Sequence, residues 1–348
     1  MILNYKMKYS KLTYYLLAVL CVMATSCVTD GVMDDDIKNI PGEPIKGGKI
    51  NFALTFPETS PTRGIDGEAD DSANERTIND VQIYTFVGDL FVEQVKYVLI
   101  GGVNGETTRF VEGKLSGTYD TGTSMDFIVI TNVENKGVRN VKMNPGDSKT
   151  DLYRQLIFSY GKTADRSTNL PMWGEGTIES IQSGKNNMGE LTLKRAVAKV
   201  NVTVNDGKGI TDFVITEVQV HNYNTQGYSA PIKNDGPSIP DSSTLSTDFL
   251  TSGTLTDTEG NRVENKFYIP EHKNKGAEER NKVFLVIKSL ARGKVKTYTI
   301  PFSENGKDYD VLRNHIYVFN ITSVKMDVTL EYEVKAWEIE NIDVPSFD

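Results

Sequence analysis

The chain contains very little cysteine or histidine. Of its 348 residues, only two are cysteines and three are histidines. Cys21 lies within an apolar N-terminal segment that we expect to be removed, so the mature protein is predicted to have no disulfide. The histidines form neither an HxH nor an HExxH pattern, and we expect each on the surface or in a strand: His221, His272 and His315. Stability must therefore come from the burial of apolar side chains.

Motifs of the common enzyme classes are also missing from the sequence. No GxSxG elbow occurs. Gly161-Lys162-Thr163 matches the end of a phosphate-binding loop, but Leu156 occupies the position that requires the first glycine. Gly174-Glu175-Gly176 lacks the third glycine of a dinucleotide-binding turn. We therefore predict no enzyme activity, no cofactor and no metal site, and interpret the run Asp34–Asp36 as solvated charge rather than as a calcium site.

Positive charge and the strongest helix formers are scarce. The net charge is −9 and the pI is about 5.1, which argues against a nucleic-acid partner and predicts no basic face for anionic lipid. Alanine and leucine are sparse, whereas glycine, threonine, asparagine and valine are plentiful. This composition favours strands and turns over helices, and it predicts an all-β fold.

The first 26 residues have the pattern of a signal peptide. Lysines precede the apolar stretch Leu12–Met23, which is too short to span a bilayer, and small residues then lead to Cys27. This pattern resembles a lipoprotein box with Cys27 as the lipidated residue. The alternative is ordinary secretory cleavage after Ser26. Residues Val28–Gly48 are acidic and contain several glycines, so we interpret them as a flexible tether.

The stretch Lys49–Arg63 has the alternation of a strand with one buried face. Pro57 then ends any pairing, and Arg63-Gly64 opens a polar, acidic run that ends at Glu75. One interpretation is a first strand followed by a loop. The other is a pro-strand that is removed by a cut between Arg63 and Gly64. In the precursor, burial of the four apolar side chains would contribute about 6–12 kcal/mol: Ile50, Phe52, Leu54 and Phe56. Their removal would leave an apolar groove.

Two successive series of predicted strands follow, with a boundary near Leu193. The first series lies within residues 64–192 and the second within residues 193–348, and each contains about the number of strands of a Greek-key sandwich. Met125–Val133 is predicted as a central strand, and a helix is predicted from a cap at Ser148 to a stop at Gly161. Asn169–Gly176 is predicted as a rigid turn, and Asn224–Glu264 as an extended surface loop with short strands.

Several stretches together resemble the fimbrillin family of fimbrial shaft proteins from anaerobic Gram-negative bacteria. They begin with the lipoprotein signal, the alternating strand and the Arg63-Gly64 pair. The others occur in order along the chain: Leu170–Glu175, Leu193–Val200, Arg313–Tyr317 and Val334–Trp337. The resemblance therefore covers nearly the whole sequence.

The resemblance implies a particular fold and life cycle. The fold would be two transthyretin-like, Ig-like Greek-key sandwiches in tandem. The precursor would be exported as a lipoprotein, palmitoylated at Cys27 and held in the outer membrane. An arginine-specific protease would then cut the bond between Arg63 and Gly64. The cut subunits would polymerise head to tail by strand exchange into an extracellular fimbria, together with other fimbrial subunits. The short extension after Trp337 favours a shaft subunit over an adhesive tip.

The C-terminal tail is the predicted donor strand for this exchange. It contains apolar residues with no evident partner in the same chain: Trp337, Ile339, Ile342, Val344 and Phe347. The spacing predicts a bulge near Asn341, and Pro345 limits pairing at the far end. Two alternatives to a shaft subunit stay open. One is a fimbrial tip or anchor subunit, and the other is a monomeric surface lipoprotein that binds glycan or host protein through Asn224–Glu264.

Overall fold

The fold is taken from a computed structural model of the chain, in which residues 45–56, 73–138, 141–160, 168–204, 213–233, 235–256, 262–304, 306–324 and 330–335 are described. All of them belong to one unit, Asn39–Asp348. The five residues of the predicted donor strand lie outside the described ranges: Trp337, Ile339, Ile342, Val344 and Phe347. The same is true of Cys27, Arg63 and Gly64.

Among the described residues up to 195, the elements are ten strands, one α-helix and two short 3-10 helices. The strands are β1 (Ile45–Thr55), β2 (Val81–Val87), β3 (Leu90–Gln94), β4 (Lys96–Ile100), β5 (Thr108–Tyr119), β6 (Met125–Thr131), β7 (Ile157–Ser159), β8 (Met172–Ile178), β9 (Lys185–Thr192) and β10 (Lys194–Arg195). The helix α1 spans Lys149–Gln155, and short 3-10 helices span Ala73–Arg76 and Glu134–Lys136.

In the described part of the chain from residue 197 onward, the elements are eleven strands and one short 3-10 helix at Glu279–Asn281. The strands are β11 (Val197–Val204), β12 (Phe213–His221), β13 (Gln226–Tyr228), β14 (Leu250–Thr251), β15 (Arg262–Pro270), β16 (Phe284–Ala291), β17 (Lys294–Pro301), β18 (Ser303–Glu304), β19 (Lys307–Asp308), β20 (Ile316–Val324) and β21 (Leu330–Lys335).

Two sheets enclose the first hydrophobic core. One has the order β4-β5-β1-β9 and the other β10-β8-β6-β2-β3. Alternate residues of β5 are buried and exposed, as expected of a strand with one face on a core. In β6 six of the seven residues are buried, which confirms the predicted central strand at Met125–Val133. The first core is formed mainly by β1, β2, β5, β6, β8 and β9.

Two further sheets enclose the second core, with the orders β15-β11-β20-β21 and β14-β12-β16-β17. The hairpin β16–β17 turns at Arg292-Gly293, where both residues have positive φ, as the tight turn requires. A third cluster of buried side chains joins the two halves and includes Tyr84, Phe158, Val197 and Tyr268. Sheet membership changes between Arg195 and Val197, close to the predicted boundary. The division into two domains nevertheless stays a prediction, because this shared cluster is continuous with both halves.

The all-β prediction is confirmed, but several local predictions are wrong. The helix begins at Ser148 with a full capping box to Asp151, yet it ends at Gln155 rather than at Gly161. Residues Ile157–Ser159 instead form β7, which pairs with β13. The apolar residues that suggested one more helical turn are thus used by a strand from the other half of the chain, a partner that local periodicity does not reveal.

The predicted turn at Asn169–Gly176 is also wrong, because Met172–Ile178 is β8, paired with β6 along its whole length. Glycine makes this packing possible: a Cβ at Gly174 would come within 2.2 Å of Leu191 Cδ2. Two further differences concern strand limits. β1 begins at Ile45, inside the segment Val28–Gly48 that is predicted as a tether, and Glu264 lies in β15 rather than in the predicted loop.

Candidate functional site

The N-terminal strand β1 lies inside a sheet, not at its edge. On one side it pairs antiparallel with β5, from Ile45 opposite Tyr119 to Thr55 opposite Thr108. On the other side it pairs parallel with β9, from Lys49 opposite Lys185 to Thr55 opposite Thr192. The ladder closes at its far end, where Leu193 N–H donates to Thr55 O at 2.8 Å. We define the β1 slot as the space between β5 and β9 that β1 fills.

The inward side chains of β1 are almost fully buried in the first core. Their exposed fractions are 1 % for Ile50, 3 % for Phe52, 0 % for Leu54 and 7 % for Phe56. The prediction that this stretch is a strand with one buried face is confirmed. Burial of four large apolar side chains contributes about 6–12 kcal/mol before entropy costs, so β1 is a major part of the core.

One glycine of β5 and one glycine of β1 itself fit the strand to its slot. Gly113 of β5 lies opposite Ile50, and a Cβ there would come within 2.6 Å of Val95 and 3.3 Å of Ile50. Gly47 has a φ of +68° where the register of β1 against β5 shifts, so the backbone adopts the left-handed region at this bulge. The slot therefore has a defined shape and register.

Removal of β1 would leave two unpaired strand edges that face each other. The N–H and C=O groups of β5 and β9 that now bond to β1 would lose their partners, and the apolar floor of the slot would be exposed. Unpaired strand edges above an apolar groove form a template for another extended segment. The arrangement can thus hold a strand of the same chain or a strand of a different one.

The chain beyond the Arg63-Gly64 pair is anchored at Glu75, in the 3-10 helix Ala73–Arg76. The carboxylate is 2 % exposed and lies 2.8 Å from Lys199 Nζ and 3.6 Å from an Arg195 Nη2, and Tyr268 donates its hydroxyl to Glu75 at 2.5 Å. Burial raises the pKa of the Glu75 carboxyl, while the two cations oppose that shift. The cluster, with Asn314, surrounds a cavity of about 10 Å³.

The local sequence does not mark this anchor, because Glu75 closes a polar, acidic run. Lys199 and Arg195 alternate with Ala196, Ala198 and Val200, so an extended chain places both cations on one face. That face is not exposed to solvent. It lies where the two halves of the chain are in contact, and both cations there are at least 95 % buried. Two cations on one face of a strand were the available signal for a buried carboxylate.

Arg76, the residue after Glu75, is also held in place by hydrogen bonds. Arg76 Nε donates to Gly105 O at 2.8 Å, and Thr77 N–H donates to Asn74 O at 3.3 Å. The bond that follows Arg76 is therefore part of a hydrogen-bonded turn rather than an extended segment. A protease that binds extended substrate would have to unfold this turn first.

The C-terminal motif Arg313–Tyr317 has a structural explanation in this fold. Arg313 pairs with the carboxylate of Glu271, which is 4 % exposed, and its Nη1 donates to Ser229 O at 3.2 Å. The Tyr317 hydroxyl donates to Asp310 O at 2.6 Å. These contacts join the turn before β20 to β15 and to the loop after β13, so the motif holds loops in place and does not form a binding site.

The three histidines are apart from one another in the structure. His221 stacks on Phe284 with a centroid distance of 4.9 Å, and His272 is buried, which lowers its pKa through desolvation. Within the described ranges, no group of three or more His, Cys, Asp or Glu residues could hold a metal ion. In the same ranges, no helix is long and apolar enough to cross a membrane.

A comparison with protein families identifies what kind of protein carries this strand arrangement. The family described as fimbrillin-A associated anchor proteins Mfa1 and Mfa2 matches residues 43–343. The match begins just before β1 and continues past β21. The chain belongs to this family. The resemblance to fimbrillins is thereby confirmed.

Two solved structures share the fold of this Mfa1 and Mfa2 family member. The tip fimbrial protein Mfa3 from Porphyromonas gingivalis, with a C-terminal truncation, is 16 % identical, with a TM-score of 0.50 over 84 % of this chain and 100 % of that chain. A fimbrial assembly protein from Parabacteroides distasonis is 13 % identical, with a TM-score of 0.53 over 84 % and 100 % of the two chains. At these identities the likeness concerns the fold alone. No curated protein sequence matches the chain.

Family membership sets the broad function. The chain is a fimbrial protein, its family implies a location at the cell surface or in an extracellular fimbria, and other fimbrial subunits are the partners that the family suggests. The lipidation at Cys27, the cut between Arg63 and Gly64, the removal of β1 and the donor tail stay predictions.

Proposed function

We propose that this protein is a structural subunit of a bacterial surface fimbria whose own β1 occupies the place of a strand from the next subunit. The precursor is exported as a lipoprotein anchored in the outer membrane through Cys27. A protease then cuts after Arg63, β1 leaves, and a donor strand from another subunit fills the β1 slot. The observation that carries this proposal is the position of β1 between β5 and β9, buried on one face and paired on both sides.

The position of β1 in both sequence and sheet suits a replaceable strand. It precedes all other described elements, so its loss interrupts no other connection. Its partner β5 remains paired with β4. Within the described ranges β9 pairs with β1 alone, so after the loss of β1 it is held by the buried Leu191 and by the chain that continues into β10. An intact slot with two open edges can therefore outlast the departure of β1 for long enough to accept another strand.

The local structure supports Arg63 rather than Arg76 as the processed residue. Arg76 and Glu75 are held by the hydrogen bonds and ion pairs described above. A cut after Arg63 would release β1 and leave this anchor intact, whereas a cut after Arg76 would detach Glu75 from Arg195 and Lys199 and leave two buried cations without their carboxylate.

The donor in this proposal is the C-terminal tail, Trp337–Phe347, of another copy. A head-to-tail contact of this kind does not close on itself, so it builds a fibre. A second function, that of an anchor subunit that keeps β1, is favoured by the family description, which names anchor proteins, and by the depth of β1 in the core. The two functions differ only in whether β1 leaves.

The test is the N-terminal sequence of the protein recovered from the cell surface, together with an Arg63→Ala variant. We expect the mature chain to begin at Gly64, and we expect Arg63→Ala to accumulate as a monomer because β1 still fills the slot. Arg76→Ala is the matched control and should be processed normally. The readout is the ladder of SDS-resistant oligomers.

Each other result selects a different function. A surface protein that still begins at Cys27 would indicate an anchor that keeps β1. A chain cut at Gly64 that stays monomeric would instead support the alternative of a surface lipoprotein that binds glycan or host protein. Normal polymers from Arg63→Ala would contradict processing at this bond.

A further inference from the structure

A row of four lysines crosses the outer face of the sheet that contains β1. The register places Lys49 of β1 directly opposite Lys114 of β5 on one side and Lys185 of β9 on the other. Lys96 of the edge strand β4 is in turn opposite Lys114. All four side chains are exposed. Since neighbouring strands lie about 4.8 Å apart, the row is roughly 15 Å long.

Within the described ranges, the lysine row has no salt-bridge partner. Like charges directly opposite each other on adjacent strands are destabilising. In a protein with a net charge of −9, four lysines at one level of one sheet are a local exception to the composition. On the outer face of the sheet, Lys49 of β1 therefore lies opposite two like charges. On the inner face, the apolar side chains of β1 pack well into the slot.

On the outer face, the basic character is confined to that single level of the slot. Two residues further along, the outward neighbours of Asn51 are Glu112 on β5 and Asn187 on β9. Two residues beyond that, the neighbours of Ala53 are Phe110 and Glu190. An acidic side chain in the slot would therefore be attracted at the level of Lys49 and repelled further along by Glu112 and Glu190.

We infer that the lysine row selects a strand with an acidic outer face, and that this strand is the C-terminal tail of a second copy of the chain. The inference rests on the proposed function. The tail has no lysine or arginine after Lys335, and Glu338 and Glu340 alternate with Trp337 and Ile339. Any register that turns Trp337 and Ile339 toward the core turns both glutamates outward. One glutamate at the Lys49 level faces Lys114 and Lys185, so two repulsive pairs become two attractive ones. The other glutamate must then lie on the Lys46 side of that level, since on the opposite side it would meet Glu112.

The lysine row thereby makes the replacement of β1 by the donor strand more favourable than the return of β1. Replacement of β1 by an acidic-faced strand trades unfavourable cross-strand pairs for favourable ones, whereas the return of β1 reverses that gain. The same row also restricts the register of the incoming strand, because only one level of the outer face of the slot is basic. Both effects weaken in salt, since exposed charges are screened over about 10 Å at 0.1 M ionic strength.

The first measurement concerns the row in the uncut, full-length precursor and does not depend on assembly. Lys49→Glu should lower the unfolding equilibrium constant by about 2- to 30-fold at low salt, because two like-charge pairs become opposite-charge pairs. Lys46→Glu is the matched control, since Lys46 is exposed on the same strand but lies opposite Thr118. A Lys49→Glu variant that is no more stable than the control would overturn the inference, as it would mean that another acidic segment already neutralises the row.

The second measurement is a charge swap during assembly. Purified full-length precursor is cut with an arginine-specific protease, and the rate of SDS-resistant ladder formation is followed at low and high salt. Lys114→Glu with Lys185→Glu should slow assembly by about 3- to 30-fold, and so should Glu338→Lys with Glu340→Lys. The four changes together should restore most of the rate. Lys294→Glu with Lys307→Glu, both exposed and far from the slot in the chain, should have no effect.

The outcomes separate this inference from the proposed function. If both reversed pairs assemble at the rate of the unmodified chain, or if their combination restores nothing, the charge selection is wrong although strand exchange stands. If the unmodified chain forms no ladder after cutting, or if deletion of Ile339–Asp348 leaves assembly unchanged, the proposed exchange itself is wrong and the inference falls with it.

Discussion

Truncation of one side chain in β1 tests whether this strand supports the precursor and then leaves. Leu54→Ala is the sharpest change, because Leu54 is 0 % exposed and lies between Arg109 of β5 and Leu191 of β9 in the sheet. The substitution keeps the backbone pairing of β1 and removes only apolar contacts in the first core. It therefore isolates the packing contribution of the strand.

The expected loss follows from the burial of Leu54. Three carbon atoms are removed at about 0.8 kcal/mol each, which gives about 2.4 kcal/mol, and the cavity left behind adds to this. Leu→Ala changes at fully buried sites cost about 2–5 kcal/mol in total. With a urea m-value of about 1–3 kcal/mol/M, the unfolding midpoint of the precursor should fall by on the order of 1 M.

The assay is urea unfolding of the uncut precursor and of the cut, assembled protein, each with and without the substitution. Asn51→Ala is the matched control, because Asn51 belongs to the same strand but points to the outer face and is only partly buried. We expect a large effect of Leu54→Ala before the cut, a small effect of Asn51→Ala, and no difference between the variants after assembly. The last result follows because β1 is no longer present.

Two results would refute this reasoning. A precursor that tolerates Leu54→Ala as well as Asn51→Ala would mean that β1 does not pack into the first core. A Leu54→Ala defect that persists in the assembled protein would mean that β1 stays in its slot, as in an anchor subunit.

Two further predictions concern buried and partly buried charge. Glu75→Gln should destabilise the protein by about 3–5 kcal/mol, because it removes the negative charge that faces the buried Lys199 and Arg195. Glu278→Gln, in an exposed pair, should cost about 0–1 kcal/mol, and equal unfolding midpoints for the two variants would contradict the anchor. Hydrogen bonds, first from Gln219 and then from Lys288, lower the pKa of Glu217 from 4.5 to about 2, so its contribution to stability is present above pH 4.5 and is lost as the pH falls toward 2. Glu217→Gln should therefore flatten the stability–pH curve in that interval, and an unchanged curve would contradict this assignment.

Local sequence patterns correctly predicted the elements that do not depend on a distant segment of the chain. The alternation in Ile50–Phe56 predicted the strand and its buried face, and Ser148 predicted the start of α1 through a cap formed within one turn. Both features depend on residues close together in sequence. The predictions failed where a distant segment decided the outcome, as in β7, which pairs with β13, and in β8, which Gly174 lets pack beneath Leu191.

The candidate site shows the same division. Composition and local patterns were sufficient to predict an all-β chain, a resemblance to fimbrillins and an apolar strand before an acidic segment. The internal position of β1 between β5 and the parallel β9, and the level that Lys49 shares with three other lysines, are visible only in the folded chain. Strand register joins residues more than a hundred positions apart, and it is fixed by complementary packing across the sheet. No local pattern contains that information.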